Sequence, residues 1–171
     1  MASNTDTAAG GVEFRALLEI AIRADIFSSN WEHCDRVASY VARMVSHNRA
    51  DSLLYLNLFS SALNELLETA FRSHKGDGEI ACKVSRAGPI DRVELTIPCD
   101  AETKAFYRDA VEVVQRPDAA ESYMAALFAE GPVDRRIGLL ELAVDYRAKF
   151  SLRESEPSSI RLVADLALDE A

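Results

Sequence analysis

Basic residues are in short supply: 19 lysines and arginines stand against 28 aspartates and glutamates, for a formal charge of −9. With a pI near 4.8, the chain lacks the cationic footprint that nucleic acids and anionic membranes require, so neither is expected as a partner. Long apolar runs are missing too. None approaches the 18 or more residues of a spanning helix, although apolar residues make up 49% of the chain. Cysteine is limited to Cys34, Cys82 and Cys99, too few and too irregular for a disulfide framework or a zinc site. Buried thiols in a reduced cytoplasm are the expectation. His33, His47 and His74 are scattered, and no Gly-x-Ser-x-Gly elbow occurs.

What is present is an ordinary globular balance, 27% charged residues in a chain of 171, long enough for one domain with a sizeable core. The opening MASNTDTAAGGVE has neither the basic start nor the apolar core of a signal peptide. Residues 1–12 read as a disordered tail and 13–171 as a single domain.

The centre of the chain is Asp51 to Lys75. At 100° per residue, Leu56, Phe59, Leu63, Leu67 and Ala70 form one stripe, the mark of a core-facing helix. Nearly opposite, Glu65, Thr69 and Arg72 stack at i, i+4 and i+7. That ridge reads either as a solvated face or as the wall of a pocket holding an acid.

Around this helix the pattern predicts a strand over Leu17–Ala24, with a helix as competitor. Ser28, Ser29 and Asn30 offer capping oxygens for a helix from Trp31 to His47, whose apolar face is Val37, Tyr40, Val41, Met44 and Val45. Trp31, Tyr40 and Met44 serve either the core or a homodimer contact. Two alternating runs, Glu79–Ser85 and Arg92–Ile97, predict a hairpin. Helices follow over Ala101–Gln115, then after Arg116-Pro117-Asp118 through Glu130, and over Arg136–Lys149. A second hairpin is predicted from Phe150–Glu154 and Ile160–Ala167. The fold class is α+β: a two-layer sandwich of helices on a mixed, mostly antiparallel sheet.

The segment LNELLETAFRSH resembles the N-box of the GHKL (Bergerat-fold) ATPases, the superfamily of histidine-kinase catalytic domains and anti-sigma-factor kinases. Arg136-Ile137-Gly138-Leu139-Leu140, followed by Asp145-Tyr146 and Ala148, is similar to a late motif of small stand-alone SiaB-type bacterial regulatory proteins. The resemblance implies a Bergerat fold with Glu65 as the catalytic acid or base. It places Thr69 where the family has a magnesium-holding asparagine, and Arg72 beside the same pocket. Asp100 stands where an aspartate would read adenine, but without the flanking glycines that let backbone approach the base. Gly138 begins the helix that would meet phosphate, with Arg135 and Arg136 beside it as phosphate cations or as surface charges.

Two functions follow. One is a degenerate, non-catalytic domain, expected to need no cofactor, which docks a STAS-like or SiaC-like signalling protein in a bacterial partner switch. The other is an ATP- and magnesium-dependent serine/threonine protein kinase, with Glu65 as base and Thr69 on the metal.

Overall fold

Alternating apolar and polar residues build five strands, and the computed structural model, which describes residues 12–27 and 32–170, joins them in one open sheet. β1 (Arg15–Arg23), β2 (Glu79–Ala87), β3 (Ile90–Pro98), β4 (Lys149–Glu156) and β5 (Ser159–Leu166) lie in the order β1-β2-β3-β5-β4. All four neighbouring pairs are antiparallel, which corrects the expectation of a mixed sheet. The cause is connectivity. The helical segment after β3 returns the chain parallel to it as β4, and the β4–β5 hairpin then folds β5 antiparallel between the two. Gly88 opens the β2–β3 turn at φ 58°, the left-handed value that primed hairpin turns need at their first central position.

One face of the sheet is buried through Ile80, Cys82, Val84, Val93, Leu95, Ile97, Ile160, Leu162 and Leu166. The other is charged: Arg92 grips Asp165 at 2.7 and 2.9 Å, and Arg161 stands 3.8 Å from Glu94. Helices α1 (Ala24–Phe27), α2 (Glu32–Val45), α3 (Ser52–Ser73), α4 (Ala101–Val114), α5 (Ala119–Phe128) and α6 (Ile137–Asp145) complete an α+β architecture, with a short 3-10 turn at Leu168–Glu170. Among the described residues no helix is long and apolar enough to cross a membrane.

Three sequence expectations change. The buried side of α2 is Cys34, Ala38, Val41, Ala42 and Val45, while Tyr40 and Met44 face outward. Small alanines let α2 lie close against α3, and the bulky residues rotate to the rim. The caps Ser28, Ser29 and Asn30, and Trp31, lie outside the described residues. The last predicted helix stops at Asp145 rather than Lys149, because Arg147 takes φ 51° and Lys149 opens β4. Helix α3 is buried well beyond its predicted stripe, at Tyr55, Ala62, Leu66, Thr69, Phe71 and Ser73. Leu56, assigned to that stripe, is only half-buried.

One polar cluster ties these layers together. Asp91, with 0% of its surface exposed, accepts bonds from Arg86 Nε at 2.6 Å, Arg49 Nη2 at 2.7 Å and Tyr55 Oη at 2.5 Å. Arg86 also reaches the Val45 carbonyl at 2.8 Å, and Arg49 pairs with Asp169. Both guanidinium groups lie over the Tyr55 ring. Asp91 lies between the two runs that predict the first hairpin; its burial follows from two arginines that the sheet and the α2–α3 loop bring to it.

Removing the carboxylate leaves two buried cations without their shared acceptor. Asp91→Ala is expected to cost about 3–5 kcal/mol in urea denaturation. Arg116→Ala, which breaks the exposed pair with Glu112, is expected to leave the midpoint where it is.

Candidate functional site

Helix α3 delivers Glu65 and Thr69 to its junction with α6. Asp51 starts the helix by accepting from the Leu54 amide at 3.0 Å. The next turns carry Phe59 and Leu63 into the core, which sets the rotation at which Glu65 and Thr69 meet α6. Here α6 has no side chain. A Cβ built on Gly138 would lie 2.8 Å from Thr69 Oγ1 and 3.0 Å from Glu65 Oε2. The backbone of α6 therefore fills the space directly beside both residues, and Thr69 is 4% exposed. Glycine is required here for close approach rather than for an unusual φ.

Of the residues singled out in the sequence, Glu65, Thr69 and Gly138 come together. Arg72 turns to Glu68, one turn back on the same helix, at 2.6 Å. Glu68 also accepts from Asn64 Nδ2 at 2.9 Å. Asp100 caps α4, accepting from the Thr103 amide at 2.8 Å, and its bonds to Thr103 hold its carboxyl below the usual range. It serves the helix start.

At the predicted phosphate end of α6, Asp134 engages Arg136, the residue just before the helix, and no side chain of the described residues caps the helix itself. Asp134 Oδ1 accepts from the Arg136 amide at 2.8 Å, and Asp134 Oδ2 accepts from Arg136 Nη2 at 2.6 Å. Arg136 holds the Asp134 carboxyl below its ordinary value. Arg135 lies 4.7 Å from the centre of the Phe106 ring. The groove of about 400 Å³ beside them also contains Glu102 and Asp109, so carboxylates balance its two arginines.

Comparison with protein-family models, curated proteins and solved structures finds no match for this chain.

Around Glu65 the structure adds residues that sequence reasoning missed as site members. Burial raises the Glu65 carboxyl first, the charges of Glu141 and Glu68 raise it further, and only Arg72 opposes them. Glu141 is raised by its own burial and by Asp145. The phenols of Tyr123 and Tyr146 are pushed up by burial and by the same carboxylates. A signal did exist in the sequence: Glu141 and Asp145 are four residues apart on α6 and share a face. Without α6 docked on α3, nothing tied that face to Glu65.

The arrangement holds a half-buried acid among acids, beside a hydroxyl closed off by backbone. It does not fit a magnesium site of the family's kind. The threonine hydroxyl abuts Gly138, and among the described residues no group of three or more histidines, cysteines or acids is placed to hold a metal ion.

Two tests follow. Gly138→Ala is expected to lose about 1–3 kcal/mol to overpacking, partly offset by about 1 kcal/mol of helix propensity. Combining it with Thr69→Ala should recover at least about 0.5 kcal/mol as a coupling term in a denaturation double-mutant cycle. Glu65 has a raised folded-state value, so the folded state favours its protonated form, and its ionised form costs stability as the pH rises through that value. Glu65→Gln is therefore expected to raise the melting temperature at pH 7. The gain should vanish below about pH 4.3, the ordinary glutamate value, where both carboxyl and amide are neutral.

Proposed function

We propose that this protein is a bacterial, cytoplasmic signalling module: a degenerate GHKL ATPase-like domain of the Bergerat type that works by docking another protein rather than by transferring phosphate. The observation that carries the reading is the contact of Gly138 with Thr69 and Glu65. It puts helix backbone directly beside the acid and the hydroxyl to which the resemblance gives catalysis and metal binding. The use of Asp100 as a helix cap and the pairing of Arg136 with Asp134 support the same reading. A STAS-like or SiaC-like protein of a partner switch is the class of partner that the resemblance implies. A homodimer would use the outer side of α2, where Tyr40 and Met44 are exposed.

One observation favours the kinase as a second reading. Glu65 is an acid whose burial and acidic neighbours raise its pKa, the direction in which a general base is tuned. Calorimetry with ATP and ADP, with and without magnesium, separates the two. The docking module is expected to show no binding at about millimolar nucleotide, where even a weak site of about −4 kcal/mol would be half filled. Thr69→Asn, which restores the family's ligand type, is expected to bring no gain. Micromolar, magnesium-dependent binding, or ATP turnover lost in a folded Glu65→Gln no less stable than the wild type, would hand the case to the kinase.

A further inference from the structure

Helix α5 is built almost entirely of apolar residues, AAESYMAALF, yet none of its ten residues is buried. Its inner side, Tyr123 and Ala126, packs on the core. Its outer side presents Met124, Leu127 and Phe128, spaced i, i+3 and i+4, which makes one continuous stripe. Phe128 is 77% exposed, and Val133 in the following loop is 70% exposed. Single exposed apolar residues are ordinary, but a stripe of large ones on one helix marks a contact surface.

The charge around the stripe identifies what fits it. Glu121 lies next to Phe128 on the helical wheel, and Glu130 follows the helix. On the inner side Tyr123 sits in the fields of Glu141, Asp145 and Glu65. Of the nearest cations beyond the ends of α5, Arg116 pairs with Glu112 and Arg136 with Asp134, while Arg135 lies over Phe106.

We propose that the outer face of α5, with the carboxylates that border it, docks a cationic amphipathic segment of a partner protein. This rests on the docking-module reading and assigns that docking to one surface and one partner chemistry. Apolar side chains of the segment cover Met124, Leu127 and Phe128, and its lysines or arginines meet the acids at the border. A second copy of the chain is a poor occupant, because each copy brings a net charge of −9 and the same acidic border. An anionic lipid surface is repelled for the same reason.

The test uses a fluorescent peptide of about 18 residues, made of leucine and lysine with leucines at helical spacing. A second peptide has the same composition in an order that forms no apolar face. Anisotropy titrations should show the first bound at least about tenfold more tightly, and weakened by added salt. Met124→Ser with Phe128→Ser should lose about tenfold, and Tyr40→Ser on α2 should lose nothing, with folding of each variant checked by circular dichroism.

Equal binding of the two peptides, or indifference to the Met124 and Phe128 changes, overturns the proposal. So does a concentration-dependent dimer in sedimentation, or binding to phosphatidylglycerol vesicles, that is abolished by Phe128→Ser. A protein that binds nucleotide tightly and still prefers the amphipathic peptide would sink the non-catalytic reading and leave this surface standing. Silent calorimetry with no peptide preference would do the reverse.

Discussion

A carboxylate with no exposed surface holds two arginines, and the stacking of the layers depends on it. Asp91 lies next to the start of β3, Arg86 next to the end of β2, Tyr55 in the first turns of α3, and Arg49 precedes that helix. Apolar burial supplies most of the driving force for folding, but it has no direction. Short bonds to a buried charge do have direction. They fix where α3 enters over the sheet, and through Arg49 and Asp169 they bring in the 3-10 turn near the chain's end. The desolvation of these charges is offset by their mutual bonds, so the cluster contributes geometry more than net stability.

At the other end of α3 the constraint is steric. Gly138 lets two helical backbones approach, and that approach decides what the acidic residues can be. Apart, Glu65 on α3 and Glu141 on α6 would each be solvated carboxylates. Brought together, Glu141 raises the proton affinity of Glu65, while burial and Asp145 raise that of Glu141, and Arg72 only partly relieves the negative charge at Glu65. The same residues that resemble a catalytic box thus belong to an acidic cluster that reaches Tyr123 on the inner side of α5.

The secondary structure was legible in the sequence to within a few residues, because the alternation in β2 and β3 and the helical repeat of α3 are strong. The second hairpin was legible as well. What was not legible needed tertiary contacts. Nothing in the line of residues says that Thr69 is covered, since the covering atom belongs to a glycine 69 positions later. Asp91 sits in a Gly-Pro turn context that ordinarily signals solvent, and only folded distances reveal its arginines. The outward rotation of Tyr40 and Met44 depended on alanines in α2, whose small size is a weak periodic signal. The end of α6 at Arg147 carried no glycine to announce it.

The sheet is open, with β1 and β4 at its borders, and each carries an irregularity in its pairing, between Ala16 and Leu18 and between Arg153 and Glu156. Unpaired borders of this kind invite other strands to add on. Here the β4 border is occupied from within. Gln115 reaches the Phe150 carbonyl at 2.7 Å, Lys104 reaches the Glu156 carbonyl at 3.3 Å, and Arg108 binds Glu154. An arriving β-strand would have to displace these side chains of α4 and its C-terminal cap, along an edge bearing charges of both signs. That border is thereby guarded against the templated, edge-on growth that turns open sheets into aggregates.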